Sequence, residues 1–272
     1  DLIITSGWVD KGYLAVNKRF KGRINTVLLF DNHWLGSLKQ HAASLASRFL
    51  FLNKFSHAWI PGEPQYPFAR KLGFAPDHIV QGFYCADLTN FNSCYNSEIT
   101  SRNKELLYVG RYLEFKGIHD LWAAFTAANE TMGNTWNLIC LGTGDLWNER
   151  AIDENIEHVG FVQPTDLRHY ISRAAAFVLP SHKEPWGVVA HEMAAAGLPL
   201  LCSDKIGVAT LFLEDGKNGY SFESGNEGQL QHVLEKFMSL EIATKKSMSE
   251  HSHALSEQLT PEIWTQRLFE LL

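Results

Sequence analysis

The feature that most constrains this chain is an alternation of short apolar runs with longer amphipathic stretches, which breaks off once and then restarts. Leu2–Thr5, Thr26–Phe30, His57–Ile60 and His78–Val80 read as strands, with Tyr13–Phe20, Ser37–Asn53 and Tyr66–Leu72 as the helices between them. The pattern resumes with strands at Leu106–Val109, Trp136–Leu141, Ile156–Val159, Ala176–Leu179, Leu198–Cys202 and Gly219–Phe222. Its helices are Ile118–Asn129, Pro164–Ala174, Val188–Ala196, Glu227–Ser239, Ile242–Gln258 and Pro261–Leu271. Strand and helix in alternation across short connections make βαβ units and parallel sheets. The strands are apolar at successive positions, as strands covered on both faces are. The polar stretch between the two runs is rich in turn formers, so residues 89–104 are expected to link a first doubly wound α/β domain, 1–88, to a second, 105–272.

Composition narrows the class. Of 272 residues, 45% are hydrophobic and 20% charged, enough apolar mass for a packed core. No apolar run approaches the ~20 residues of a membrane-spanning helix. The four cysteines, Cys85, Cys94, Cys140 and Cys202, form no CxxC pair, which argues against a disulfide scaffold or a structural zinc site and for a reducing compartment, the cytoplasm. The net charge of −6 argues against a dedicated nucleic-acid binder. It is unevenly spread: residues 1–104 carry 12 basic and 7 acidic side chains, the rest 12 and 23.

In folds of this class ligands sit beyond the carboxyl ends of the strands, so the loops after strands carry the candidate chemistry. Glu184-Pro-Trp-Gly-Val-Val-Ala-His-Glu192 follows one strand and opens a helix at Gly187 and Val188. Free amides at that helix start suit a phosphate. Val188 and Glu192, four apart, share a helix face, and carboxylates such as Glu184 and Glu192 accept hydrogen bonds from sugar or ribose hydroxyls. A turn carrying two solvated glutamates would be written in the same letters. Gly110-Arg111 and Lys116-Gly117 lie between a strand end and the next helix start, where two cations would meet a diphosphate. Gly142-Thr143-Gly144, at another strand end, lacks the full dinucleotide fingerprint.

Taken in order, Gly110-Arg111, Lys116-Gly117, Gly142-Thr143-Gly144, His158-Val-Gly-Phe-Val162, Glu184 to Glu192, Met193-Ala-Ala-Ala-Gly-Leu-Pro199, Gly207 and Asp215-Gly-Lys-Asn-Gly219 resemble the retaining glycosyltransferases of the GT-B fold, specifically glycosyltransferase family 4. The resemblance covers nearly all of residues 105–222. It implies two Rossmann-like domains with a cleft between them, and a nucleotide-diphosphate sugar, UDP- or GDP-linked, as donor, with no metal and no other cofactor. It further implies that Arg111 and Lys116 neutralise the diphosphate, that the amides of Gly187 and Val188 hold the distal phosphate, and that Glu184 binds the transferred sugar. Glu192 would bind the ribose, and Gly142, Phe161 and Val162 would border the base. Retention would follow from attack on the face the leaving group vacates, with the departing phosphate helping to deprotonate the acceptor hydroxyl. The acceptor would be a carbohydrate or a lipid-linked sugar.

Two departures from the family pattern stand out. A histidine usually follows directly on an apolar strand of the first domain; here Asp31 takes that place and His33 comes two residues later, so His33 is carried as the candidate. The family's glycine-rich loop after its first strand is absent. That absence, the start at Asp1 and the small first domain lead to the expectation that the chain begins inside an incomplete acceptor domain. Ser37–Phe55, with Lys39, Arg48 and Lys54 beside Leu50, Phe51, Leu52 and Phe55, reads as a packed helix with a cationic face or as a basic helix lying on an anionic membrane. The second reading would place the chain at the inner face of the membrane. Two other functions share the same motifs: a GT-B sugar-nucleotide epimerase, and a donor-binding fragment without transfer.

Overall fold

A computed structural model describes residues 1–50 and 52–272, apart from the side chains of Arg48 and Leu50. Phe51, part of the expected basic helix, lies outside the described residues. The chain forms two compact units, residues 1–85 with 259–272 and residues 86–258.

The first unit holds β1 (Leu2–Ser6), α1 (Lys11–Phe20), β2 (Asn25–Leu29), α2 (Leu38–Leu50), β3 (His57–Ile60), α3 (Tyr66–Leu72) and β4 (Ile79–Gln81). Its four strands are parallel in the order β1-β2-β3-β4. The two-residue period of a strand sends alternate side chains to opposite faces. Leu28, Ala58 and Ile60 pack with Phe55, Phe68 and Leu72 on one side. Val27 and Trp59 turn to the other and meet Trp264, Leu268 and Leu271. Both faces are therefore apolar, as the uninterrupted hydrophobic runs require.

The second face is covered by helix Pro261–Glu270, expected in the second domain but part of the first unit. Its Trp264 ring lies 5.0 Å from that of Trp59, and Trp264 Nε1 donates to Phe83 O at 2.9 Å. Arg267 donates to Gln81 O at 2.7 Å. Amphipathicity told that this helix needs a core, not which core. Thr260 caps it, accepting from the Ile263 amide at 3.2 Å, with Pro261 in the first turn. Thr260→Ala should lower stability by about 1 kcal/mol, read as a shift of the denaturant midpoint at unchanged slope.

The second unit runs α4 (Leu88–Asn92), α5 (Ser97–Thr100), β5 (Glu105–Val109), α6 (Ile118–Thr131), β6 (Asn137–Leu141), β7 (Ile156–Gly160), α7 (Leu167–Ile171), β8 (Ala176–Leu179), α8 (Val188–Ala195), β9 (Leu200–Ser203), α9 (Ala209–Phe212), β10 (Gly219–Phe222), α10 (Glu227–Met238) and α11 (Ile242–Ser256); the helix at Pro261–Glu270 is α12. The stretch 89–104, expected as a linker, instead belongs to this unit and contains α4 and α5. Asp87 and Asn96, turn formers in the sequence, are N-caps here, accepting from the amides of Asn90 and Ile99. Leu88 and Phe91 are buried, but a single turn is too short to show a helical period.

The six strands are parallel in the order β10-β9-β8-β5-β6-β7. Chain order reverses between β5 and β8, so the loops leaving these two neighbours diverge and open a crevice at their carboxyl ends. At the far edge the β6–β7 register slips, pairing Cys140 with His158 and Leu141 with Gly160.

Candidate functional site

The loops leaving β5 and β8 are stitched together. The amides of His182 and Lys183 both donate to Phe115 O, at 2.9 and 3.3 Å. Gly117 adopts φ 64°, and a Cβ there would come within 2.3 Å of Pro180 O, so only glycine lets the two backbones meet. The contact brings the Lys116 ammonium onto the Glu184 carboxylate, an ion pair with both side chains about 15% exposed. Glu184 also packs on Gly187, which caps α8 at φ 88°; a Cβ there would lie 2.9 Å from Glu184 Cγ. Two of the expected site residues are thus in contact at the start of α8, where the amides of Val188 and Val189 have no intrahelical acceptor.

Arg111, in the same loop, is exposed and has no ion-pair or side-chain hydrogen-bond partner among the described residues. Its position is set by its backbone: the buried Tyr108 hydroxyl donates to Arg111 O at 2.9 Å. Beside it the Gly142 amide donates to Gly160 O at 2.7 Å, joining the loop after β6 to the end of β7. Phe161 follows immediately, 71% exposed, then the half-buried Val162. Behind these loops Tyr112 O–H lies 2.9 Å from His158 Nδ1, while His158 Nε2 lies 3.1 Å from Ala151 O. A carbonyl can only accept, so the proton sits on Nε2 and Tyr112 donates to Nδ1. Burial lowers the His158 pKa and keeps this arrangement neutral.

Glu192 lies one turn into α8, four residues from Val188, and is half-buried. Its carboxylate has no hydrogen-bond or ion-pair partner among the described residues. Burial, with a smaller contribution from the charge of Asp87, raises its pKa to about 7. The neighbouring His191 has a structural place: its ring stacks on Phe212 at 4.0 Å, Nε2–H donates to Ser256 O, and Nδ1 accepts from the Ala86 amide. Burial takes its pKa down to about 4, so the ring is neutral at ordinary pH.

The Glu192 environment predicts a pH dependence. Its folded pKa lies above the ordinary glutamate value of about 4.5, so the stability its proton confers is full below about pH 4.5 and is lost as pH rises through about 7. Glu192→Gln should therefore raise the melting midpoint at pH 8 in the absence of ligand and not at pH 4.5. Thermal melts at the two pH values check this.

His33 belongs to the first unit, on the loop after β2; its carbonyl accepts from Gln40 at 2.6 Å. Asp31 Oδ2 accepts from the Tyr84 hydroxyl at 3.3 Å. One neighbour was passed over in the sequence. His182 stands two residues before Glu184, and its Nε2 lies 2.6 Å from Asp120 Oδ2 in the first turn of α6. Among the described residues no three His, Cys, Asp or Glu side chains group as metal ligands.

The family described as glycosyl transferases group 1 matches residues 96–256, a span that includes every expected site residue except His33. A glycogen synthase of Mycobacterium tuberculosis is 40% identical over 126 residues, 43% of this chain and 30% of that protein. The chain spans about a third of the length of the curated relatives it matches. Among solved structures, a sucrose-phosphate synthase from Thermosynechococcus elongatus superposes with a TM-score of 0.75 at 18% identity, over 99% of this chain and 72% of its own. HepE of Anabaena, crystallised with UDP and glucose, gives 0.72 at 16%, over 99% and 77%. With a parallel sheet in each unit and the family match running through the loops just described, the chain belongs to the glycosyl transferases group 1 and has the GT-B fold.

Proposed function

We propose that this chain transfers a sugar from a nucleotide-diphosphate donor to a carbohydrate or lipid-linked acceptor with retention of anomeric configuration. The observation that carries the reading is the Lys116–Glu184 pair, held at the crevice between β5 and β8 against the start of α8. A cation, a carboxylate and unpaired helix amides at one point suit a sugar diphosphate. The ammonium and amides take the phosphates, and the carboxylate takes sugar hydroxyls. Arg111 adds a second cation, free to turn toward the phosphates. Glu192, without a partner, suits the paired hydroxyls of a ribose. The exposed Phe161, with Val162 and Gly142, offers a surface to the base, and UDP, bound in HepE, is the first nucleotide to try.

In this reading catalysis is positioning and electrostatics. Lys116 and Arg111 stabilise the charge that grows on the diphosphate as the glycosidic bond breaks, and the α8 amides add their dipoles. The departing phosphate accepts the proton of the acceptor hydroxyl, which attacks from the same face. His33 is retained as a residue of the acceptor side.

The reading makes donor affinity pH-dependent, because hydroxyls donate to an ionised Glu192. With a pKa of about 7, affinity for UDP should rise about tenfold between about pH 6 and about pH 8 in the wild type. In Glu192→Gln it should rise only as far as the phosphate's own ionisation carries it. Calorimetric titration across pH measures both. Incubation with UDP- and GDP-sugars and a panel of acceptors, with the anomeric configuration of the product read by NMR, tests the transfer. An inverted product would refute retention, and conversion of the donor without an acceptor would make the chain an epimerase.

A further inference from the structure

Within the second unit, α7 and the turn joining α4 to α5 border a pocket of about 230 Å³. Asn103 Nδ2 donates to Ser172 O at 3.0 Å and to Ala174 O at 3.3 Å, just before β5 and β8 begin. The pocket therefore lies at the opposite end of these two strands from the Lys116–Glu184 pair. Its walls are fixed before anything enters. The Tyr95 ring stacks on the His253 imidazole, centroids 3.9 Å apart, and lies so close to Gly197 that a Cβ there would come within 2.3 Å of it. The Ser93 hydroxyl donates to Asn90 O at 2.6 Å, and that of Ser172 to His169 O at 2.9 Å.

The pocket collects donors that lack acceptors. Arg168 lines it, and no carboxylate reaches its guanidinium among the described residues. One of its five N–H groups is placed, donating to Ser93 Oγ at 3.2 Å. With its own hydrogen spent on Asn90, Ser93 can only accept, so it orients the guanidinium without neutralising it. Arg173, by contrast, is bracketed by Glu105 and Glu157, each at 2.9 Å. Thr100 lines the same pocket and is only 5% exposed, yet its hydroxyl has no hydrogen-bond partner among the described residues. Buried hydroxyls ordinarily have one. Asn96 spends its side-chain oxygen on the Ile99 amide at 3.2 Å, which leaves its Nδ2 hydrogens to the pocket side. No acidic side chain is among the lining residues. A guanidinium with a hydroxyl and a carboxamide beside it is a donor set for oxygen anions. We infer that this pocket binds a small oxyanion, a phosphate monoester or a carboxylate carried on a hydroxyl-bearing body. Arg168, Thr100 and Asn96 donate to the anionic oxygens, the Ser172 oxygen accepts from a hydroxyl of the body, and Tyr95 and Ile99 give its carbons an apolar wall.

This inference stands on the second unit alone and does not depend on the sugar-transfer reading, whose failure would leave it intact. Cys94, a half-buried free thiol on the pocket wall, reports on occupancy, and the half-buried Cys85 of the first unit is the control. The full chain is alkylated with iodoacetamide in glycerol 3-phosphate, in glycerate, or in sodium chloride of equal ionic strength, and each cysteine is read by peptide mass spectrometry. At saturation one or both organic anions should slow alkylation of Cys94 at least about fivefold relative to chloride and leave Cys85 unchanged. Which of them does so tells whether phosphate or carboxylate is the group bound. Arg168→Ala, at an exposed position, and the isosteric Thr100→Val should each lose the protection with an unchanged circular dichroism spectrum, whereas Lys116→Ala should keep it. Calorimetric titration of the same anions gives a second reading, a heat of binding that Arg168→Ala removes. Equal alkylation of Cys94 in all three solutions with no heat that depends on Arg168 would overturn the inference. So would protection that survives in Arg168→Ala, or protection that Lys116→Ala abolishes, since the anion would then sit in the crevice between β5 and β8.

Discussion

Replacing Lys116 by Ala should cut transfer by about 10²–10³-fold while the protein stays folded. Two effects add in the same direction. The ammonium that would stabilise the departing diphosphate is lost, and Glu184, its side chain only about 15% exposed, is left as an unpaired carboxylate where the diphosphate would bind. The variant should therefore bind UDP more weakly as well as turn over more slowly. Circular dichroism and a melting curve establish the fold; steady-state rates and calorimetric titration read the two losses. A variant with wild-type turnover would remove Lys116 from the proposed chemistry.

Glu184→Gln is expected to separate the same two quantities. The amide fills the same space on Gly187 but gives up the ion pair, freeing Lys116 for phosphate. Binding of UDP, which has no sugar to present, should be unchanged or tighter. Transfer should fall by about 10²-fold, because a neutral amide is a weaker acceptor for the hydroxyls of the transferred sugar. The double variant Lys116→Ala with Glu184→Gln should lose less than the sum of the single losses, since the unpaired carboxylate is gone. Additive losses would mean that the pair seen without ligand has no bearing on function.

The strands were legible because burial on both faces leaves a simple trace. Leu106, Leu107 and Tyr108, or Phe177, Val178 and Leu179, have no polar residue to interrupt them. The loops after β5 and β8 were legible because glycine marks the points where backbones meet, as Gly117 does against Pro180. The sequence could not say which sheet Trp264 and Leu268 would cover, since any apolar face would serve α12. It also misled on residues 89–104, where Asp87 and Asn96 cap one-turn helices too short to show a period. In α2 the residues were seen but not their direction. Exposed to solvent, Leu45 and Phe49 keep the spacing they would have facing inward. The His182–Asp120 contact joins residues 62 apart through the strand order of the sheet, which one sequence does not display.

The central claim is that the crevice between β5 and β8 holds a nucleotide diphosphate, with its ribose on Glu192 and its phosphates at Lys116 and the start of α8. Calorimetric titration of the full chain with UDP and GDP, repeated on Glu192→Ala, tests it most directly. The account predicts saturable one-to-one binding of one of the two nucleotides, weakened in the variant by about 1–3 kcal/mol, roughly 5- to 150-fold. Binding of equal strength in wild type and variant, or no binding of either nucleotide to the folded protein, would contradict it.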